Sequence, residues 1–428
     1  MSRNLARAPA AEVGAWLRSR ELRAVDVLEA ALERIASREP AIHAWAFLDP
    51  ERARHQAQAL DAGPVRGPLH GLPIGVKDLM DTADMPTAYG SPIYAGHRPA
   101  WDAAVVAAAR AAGAIVVGKT ITTEFATFTP AATVNPCDFE HTPGGSSSGS
   151  AAAVADGMVP LAFGTQTVGS IIRPASFCGV VGYKPSFGTL SRAGVKLLAE
   201  SLDTVGAIAR TVDDVALMVG ALSGRGELVD LAKIDRPWVG LCRTHDWRET
   251  QPEVGEAMDA AARGLAAAGA RVIQVDLPPD FAALGDAHGD ILGYELARNL
   301  GFEHANHGGR LSSRLRELLD AGLQVTAERY DRARELAHLS RAALPGVFDS
   351  CHVFLAPSTT GEAPAGLEST GNPVMNRVWT LLHVPCVTVP VATGPNGLPI
   401  GLQIIGRVGD DARTLAAARW IHERLGAG

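Results

Sequence analysis

The sequence predicts an α/β fold, a single α/β/α layered domain over residues 1–428 with a central mixed sheet flanked by helices. Short apolar runs bounded by Gly and Pro alternate with helix-like segments along the whole chain. Apolar residues make up 47% of the 428 residues and charged residues 20%, which is enough to bury a sizeable core. No internal repeat or low-complexity tail interrupts the alternation. One layered domain is therefore expected.

The first stretch, residues 1–65, is predicted to be a helical segment packed on the rest. The segments AAEVGAWLRSREL and AVDVLEAALERIASRE come first, and apolar spacing of three and four supports the second one. A short apolar run at 41–48 precedes ERARHQAQAL, which again has helical texture.

The residue pattern changes from helical to mainly strand-like between about residue 70 and residue 210. The runs GLPIGVKDLMD, AIVVGKT, MVPLAFGTQ, GVVGYKP and TVGAIAR are typical of buried strands, with a helix at 102–113. Strands at 237–242 and 271–276 then surround a helix at 252–268, and residues 283–350 are mostly helical. The runs FLAPS, VPCVTVPVA and LPIGLQIIG return to strand, and a final helix closes the chain.

Charge and cysteine usage limit the function classes. The net charge of −7 offers no electrostatic reason to bind nucleic acid or an anionic membrane. No run of about 18 apolar residues exists, and the N-terminus has no signal-like apolar stretch. Five widely spaced cysteines without C-x-x-C argue against a disulfide framework or a structural zinc site, so a cytoplasmic protein with mostly buried cysteines is expected.

Lysine is rare in this chain, which has only five of them against 34 arginines. Burial can remove the proton of a lysine but not that of an arginine. A lysine inside an apolar, Gly-bounded stretch therefore stands out, and Lys77 in LPIGVKDLM is such a residue.

Two motifs suggest other chemistries. Residues 113–120 match the P-loop pattern G-x-x-x-x-G-K-[ST], but the four variable residues are AIVV, which favours a buried strand ending at Gly118 over a phosphate-binding turn. Residues 145–149 match G-x-S-x-G, but no hydrophobic strand precedes them as a nucleophile elbow requires. A Ser–His esterase remains an alternative, with candidate histidines His245, His288, His304, His338 and His383.

The stretch from 143 to 185 contains two Gly- and hydroxyl-rich segments around an Ala-rich helix and a short strand. Together with GLPIGVKD at 71–78, GGSSSGSAAAVA at 144–155, GTQTVGSIIRPASFCGVVGYKP at 164–185 and SLDTVG at 201–206, it resembles the amidase signature family over nearly the whole chain. The resemblance implies the amidase signature fold, with residues 66–215 as the catalytic core and residues 216–428 supplying the helices of the substrate pocket.

The resemblance also implies a Ser–Ser–Lys triad of Lys77, Ser146 and Ser170, with Ser170 as the nucleophile and Ser146 following a cis peptide bond. The residue types suit this chemistry, because a serine needs a base and lysine is a base only when burial keeps it neutral. Asp78 should project to the other side of a strand, so it need not keep Lys77 charged. Ser146 can then relay protons between Lys77 and Ser170.

Further roles are expected around the triad. The backbone of Thr167, Val168, Gly169 and Ser170 can aim successive N–H groups at one point and form an oxyanion hole. The hydroxyls of Ser148 and Thr165 are expected to support the site or to serve structure alone. Most family members have Asp at the position of Gln166 and Gly at that of Val168, so a positive φ at Val168 would be strained.

The segment Ser170-Ile171-Ile172-Arg173-Pro174 resembles the malonamidase branch, in which the arginine at the position of Arg173 binds a substrate carboxylate. A structural salt bridge is the alternative role for Arg173. The predicted function is hydrolysis of a small, carboxylate-bearing amide with release of ammonia, without metal or organic cofactor, and the family resemblance suggests a homodimer. The A subunit of a tRNA-dependent amidotransferase is the main alternative, followed by a P-loop protein.

Overall fold

The computed structural model of the protein describes residue 5 and residues 7–426. The strands are β1 (Trp45–Leu48), β2 (Pro73–Lys77), β3 (Ile115–Thr120), β4 (Leu161–Gln166), β5 (Val181–Lys184), β6 (Thr204–Ala209), β7 (Trp238–Cys242), β8 (Arg271–Val275), β9 (Val353–Pro357), β10 (Cys386–Thr393) and β11 (Pro399–Ile405).

The helices are α1 (Ala10–Arg18), α2 (Ala24–Ile42), α3 (Pro50–Ala62), α4 (Ala104–Ala111), α5 (Ser148–Ala155), α6 (Ile172–Phe177), α7 (Val212–Ser223), α8 (Gly226–Val229), α9 (Pro252–Ala267), α10 (Leu284–Asn299), α11 (Gly301–His307), α12 (Ser313–Leu323), α13 (Ala327–Val347), α14 (Val374–Leu381) and α15 (Asp411–Leu425). The prediction about the N-terminus and targeting falls partly on residues 1–4 and 6, which lie outside the described residues.

Within the described part of the chain, 11 strands form one sheet in the order β1-β3-β2-β4-β6-β5-β10-β11-β9-β7-β8. Strands β3, β2 and β4 are parallel to one another, as are β9, β7 and β8. The strands between these two groups pair antiparallel. The sheet is therefore mixed, as the sequence predicts.

Helices cover both faces of this sheet, and strand β9 shows the division. Leu355 belongs to an apolar cluster with residues of α2, α5, α7 and α15. Its neighbours Phe354 and Ala356 belong to a second cluster with residues of α10, α13 and α14. Successive side chains of a strand point to opposite faces, so the sheet has one helical layer on each side. The predicted α/β/α architecture is confirmed.

Two local expectations were wrong. The apolar run at 41–48 contains strand β1, which pairs antiparallel with β3 at the edge of the sheet, so residues 1–65 are not purely helical. The strand predicted to end at Gly118 continues to Thr120, because Lys119 and Thr120 pair with the end of β2.

Among the described residues no helix has the length and apolarity to cross a bilayer, and four of the five cysteines are buried.

Candidate active site

Two parallel strands end side by side at one edge of the sheet. Strand β2 ends at Lys77 and strand β4 ends at Gln166. Strand β6 runs antiparallel to β4 and begins at Thr204 opposite Gln166, so Asp203 lies at the same edge. Because α/β proteins bind ligands at the carboxyl ends of parallel strands, this edge is where functional side chains are expected to meet.

Lys77 is fully buried at this edge, and three hydroxyl groups surround its amine. Its Nζ lies 2.8 Å from Oγ of Ser146, 3.0 Å from Oγ of Ser147 and 2.8 Å from Oγ1 of Thr165. Burial holds the pKa of Lys77 well below its ordinary value, and the opposing charge of Asp203 is the smaller effect. The environment therefore favours a neutral amine that can accept a proton.

The adjacent carboxylate of Asp78 does not keep this amine charged. Asp78 faces the other side of the strand, where its Oδ1 lies 3.1 Å from Nζ of Lys119. It also accepts the N–H of Ala88 at 3.1 Å. Asp78 thus neutralises a different lysine, and the expectation that it points away from Lys77 is confirmed.

The loop before α5 carries Ser146 to Lys77. Gly144 has a φ of +79°, and a Cβ there would lie 2.9 Å from Cα of Pro174, so glycine suits this position. The peptide bond between Gly145 and Ser146 is cis. The hydroxyl of Ser148 donates to the carbonyl of Gly144 at 2.7 Å. Ser148 therefore supports the loop without touching the amine.

Ser147 is a contact of Lys77 that the sequence analysis missed. Its hydroxyl can donate to the carbonyl of Thr165 at 3.4 Å, which makes it an acceptor toward the amine. Its N–H donates to the carbonyl of Ser170 at 3.4 Å, tying the two serine loops together. If Lys77 donates to Ser147, its lone pair is free for the hydroxyl of Ser146. Three consecutive serines gave no sign of which ones face the amine.

Ser170 lies in the turn between β4 and α6 and lines a cavity of about 190 Å³ together with Thr167 and Val168. In the described structure the N–H groups of Val168, Gly169 and Ser170 donate to no other protein group. They are free to receive a negatively charged oxygen. The hydroxyls of Ser146 and Ser170 make no direct hydrogen bond among the described contacts.

Gln166 caps the start of α6 with its side-chain amide. Its Oε1 accepts the N–H groups of Ile171 at 2.9 Å and Ile172 at 3.0 Å. Its Nε2 donates to Oγ1 of Thr380 at 3.0 Å, and Thr380 in turn donates to the carbonyl of Val168 at 2.8 Å. One amide side chain thus links the turn after Ser170 to the loop before it.

Val168 occupies its position without a left-handed backbone, because its φ is not positive. The strain that a positive φ would have caused is therefore absent.

Two buried side chains hold Thr167, the residue before Val168. The hydroxyl of Thr167 donates to Asp203 at 2.5 Å, and the carbonyl of Thr167 accepts from Nε2 of His288 at 2.9 Å. Burial raises the pKa of Asp203 to about 6 and lowers the pKa of His288 to about 4. The histidine is therefore neutral near pH 7.

Arg173 faces the same cavity with a buried guanidinium. Its Nη1 donates to the carbonyl of Gly371 at 2.8 Å, and its Nη2 to the carbonyl of Gly145 at 2.8 Å and the hydroxyl of Thr370 at 3.0 Å. Its Nε has no hydrogen-bond partner, and no carboxylate pairs with Arg173 among the described residues. Burial lowers the pKa of Arg173 to about 9, and the charge of Arg314 adds to this effect.

The rest of the cavity wall is largely apolar and carries no acidic side chain among its described lining. Helices α10 and α12 supply part of it. The apolar lining includes Phe128, Leu198, Leu292, Leu296 and Leu318.

Neither alternative motif has the geometry of the chemistry that it suggested. Residues 115–120 are strand β3, and the amine of Lys119 is buried against Asp78, so no phosphate-binding loop exists there. No histidine in residues 7–426 hydrogen-bonds to Ser146, Ser147 or Ser170. His288, one of the histidines considered for a triad, binds a backbone carbonyl instead.

Several known proteins are similar to this chain over nearly its whole length. The family model described as Amidase matches residues 26–415. The A subunit of the glutamyl-tRNA(Gln) amidotransferase from Anaeromyxobacter dehalogenans is 34% identical over 486 residues, covering 99% of this chain and 98% of the relative. A crystal structure described as an amidase superposes with a TM-score of 0.90 at 33% identity, covering 98% of this chain and 100% of the other. The native peptide amidase of Stenotrophomonas maltophilia gives 0.81 at 29% identity, covering 98% and 97%.

Proposed function

The chain belongs to the amidase signature family and is an enzyme of amide carbon–nitrogen bonds, and on that premise we propose that it hydrolyses a small primary amide through Ser170, Ser146 and Lys77. One observation carries the proposal: a fully buried, proton-accepting amine of Lys77 lies 2.8 Å from the hydroxyl of Ser146. Such an amine can serve as a general base only because burial disfavours its charge.

The first step forms the bond between Oγ of Ser170 and the amide carbonyl carbon. As that bond forms, the Ser170 proton passes to Ser146, and the Ser146 proton passes to Lys77. The relay requires a hydrogen bond between the two serines, which forms when substrate brings the loops together, since catalytic hydrogen bonds often tighten only in the substrate complex. The carbonyl π electrons move to oxygen, giving a tetrahedral oxyanion.

The oxyanion is stabilised by the N–H groups of the loop before Ser170. Those of Val168, Gly169 and Ser170 have no acceptor among the described residues, so they need not be freed before they bind the developing charge. Losing one such donor typically costs about 10²–10³ in rate.

Collapse of the intermediate breaks the carbon–nitrogen bond. The nitrogen takes that electron pair and a proton from Ser146, which regains one from Lys77, and ammonia leaves. Water then attacks the ester carbonyl of acylated Ser170, and one of its protons passes through Ser146 to Lys77. The bond between the acyl carbon and Oγ of Ser170 breaks as the oxyanion collapses, and Ser170 regains a proton from Lys77 through Ser146. The products are a carboxylic acid and free Ser170.

The cavity supports an anionic substrate. The buried guanidinium of Arg173 has no carboxylate partner in the described part of the protein, and its Nε is unpaired. A charge buried in this way is costly unless a ligand supplies the opposite charge. Arg314 adds a second positive charge, because its guanidinium lies 5.3 Å from the ring centre of Phe128 in the cavity wall. A small amide that ends in a carboxylate, such as a malonamate-like compound or a carboxylated urea, satisfies both the size and the charge.

The curated relatives favour a second candidate. They are named as A subunits of an amidotransferase, which would pass the ammonia to a partner instead of releasing it. Their alignment of 486 residues exceeds the 428 residues of this chain, so the relative carries segments absent here. The relative is nevertheless covered over 98% of its length and the aligned amidase structure over 100%. Coverage therefore does not separate the two candidates, and the ammonia-release assay decides between them.

Ammonia release by the purified chain from a panel of small amides, with and without a carboxylate, tests the proposal. We expect turnover of a carboxylate-bearing amide, complete loss in Ser170→Ala and Lys77→Ala, and no change in the control Lys233→Ala, an exposed lysine. Turnover that appears only with amidotransferase partner subunits and tRNA would establish the second candidate. Activity that survives Lys77→Ala would contradict the mechanism.

A further inference from the structure

The oxyanion loop is held by side chains that the catalytic steps leave without a role. The carbonyl of Thr167 accepts a hydrogen bond from Nε2 of His288 at 2.9 Å. The carbonyl of Val168 accepts one from Oγ1 of Thr380 at 2.8 Å. The hydroxyl of Thr167 is bound by Asp203 at 2.5 Å. These contacts come from three separate places in the chain and converge on two consecutive residues.

Each held carbonyl fixes the direction of one N–H group. A peptide group is planar and trans, so its C=O and the N–H of the next residue point in opposite directions. Holding the carbonyl of Thr167 therefore aims the N–H of Val168, and holding the carbonyl of Val168 aims the N–H of Gly169. Both N–H groups are without an acceptor in the described protein.

The holding groups are themselves rigid. His288 and Asp203 are almost fully buried, and so is Thr380. The Asp203 carboxylate accepts the N–H groups of Leu198 at 2.6 Å and Ala199 at 3.2 Å. Thr380 accepts from Gln166, which leaves its hydroxyl hydrogen for Val168. Because His288 is neutral and a carbonyl only accepts, the imidazole proton resides on Nε2.

We propose that His288, Thr380 and Asp203 are positioning residues that clamp the loop at Thr167 and Val168 and so aim the N–H groups of Val168 and Gly169 at the substrate oxygen. This inference rests on the proposed function and extends it. The clamp differs from the triad in that it handles no proton; it acts only by pre-organising donors, which are effective when they need no reorientation during the reaction.

The kinetic test compares His288→Leu with His288→Gln, and Thr380→Val with Thr380→Ser. The first variant of each pair removes the donor and should lower kcat about 10- to 100-fold with little change in KM, because the oxyanion exists only after binding. The second keeps a donor and should recover most of the loss. The affinity of an aldehyde inhibitor, whose adduct with Ser170 carries the oxyanion, should fall in parallel with kcat.

Tyr183→Phe is the matched control, because it removes a buried hydroxyl–carboxylate bond to Asp411 that involves no residue of the triad or of the clamp. It should change thermal stability and leave kcat unchanged. A crystal structure of His288→Leu gives a readout that needs no activity: the Thr167–Val168 peptide should rotate. An unrotated peptide, or unchanged kcat in an active wild-type background, would overturn the clamp. A wild-type chain inactive on every amide would instead refute the proposed function.

Discussion

Replacing Arg173 with methionine should separate substrates by their charge. The guanidinium makes hydrogen bonds to Gly145, Thr370 and Gly371, and it brings to the cavity wall a positive charge with no carboxylate partner among the described residues. Losing the hydrogen bonds loosens the loop next to Ser146, which slows the reaction of every substrate. Losing the positive charge affects only substrates that carry a carboxylate.

The size of the effect of losing the positive charge follows from the burial of the Arg173 guanidinium. Hydrogen bonds to charged groups contribute about 1.5–3 kcal/mol, and each 1.36 kcal/mol is a factor of ten in rate. For Arg173→Met, kcat/KM for a carboxylate-bearing amide should therefore fall roughly 10- to 150-fold more than kcat/KM for a neutral amide of equal size.

The assay is ammonia release from a pair of amides that differ only in a terminal carboxylate or a neutral group of similar size. Thr370→Val is the matched control, because it removes one hydrogen bond to Arg173 and leaves the cation in place. It should slow both substrates by the same factor. An equal loss for both substrates in Arg173→Met would refute the carboxylate site and leave Arg173 with a structural role only.

Three further variants probe the base, its neighbour and the cap. The variant Lys77→Met should release no ammonia, yet its free energy of unfolding at pH 7 should exceed that of the wild type, because burial disfavours the charged form of Lys77 in the folded chain. The difference in stability should shrink as the pH rises toward 10.5, the pKa of a lysine in the unfolded chain. Urea unfolding at several pH values measures this difference, and a difference that does not change with pH would contradict the lowered pKa. The variant Asp203→Asn should move the acid limb of the pH profile of kcat/KM to lower pH, because the negative charge of Asp203 raises the pKa of Lys77 and the variant lacks that charge. An acid limb at the wild-type pH would contradict this reasoning. Gln166→Ala leaves the buried N–H groups of Ile171 and Ile172 unpaired and should destabilise the fold by about 1–3 kcal/mol for each, measured by thermal unfolding, whereas an unchanged melting temperature would exclude the capping role.

The layered architecture could be predicted because its signals are local. Runs such as GVVGYKP and LPIGLQIIG have the residue pattern of buried strands whichever strands they pair with, and they contain β5 and β11. Strand order could not be predicted, since the placement of β5 between β6 and β10 depends on contacts between distant segments. Strand β1 was missed because four residues between two helices carry too short a pattern.

The candidate site also has features that the sequence could predict and features that it could not. A rare lysine in an apolar stretch indicated Lys77, and its burial was confirmed. The proximity of His288 and Thr380 to the Thr167–Val168 peptide depends on how α10 and α14 pack, and no spacing in the sequence predicts that. Asp203 lay within the SLDTVG segment that carried the family resemblance, so a signal existed for the residue but not for its contact with Thr167.

Lys77 and Asp78 point to opposite faces of β2, so the orientation of the proposed catalytic base depends on the number of strand residues before it. Removing or adding one residue within β2 would turn every following side chain to the other face. An amine would then lie beside Lys119, and a carboxylate would point at the serines, although every letter of the motif survived. Single-residue deletions between positions 73 and 76 should thus inactivate the enzyme more thoroughly than most substitutions there. The same Val76-Lys77-Asp78 sequence in a related chain predicts a buried amine at this place only where the number of strand residues before it is the same.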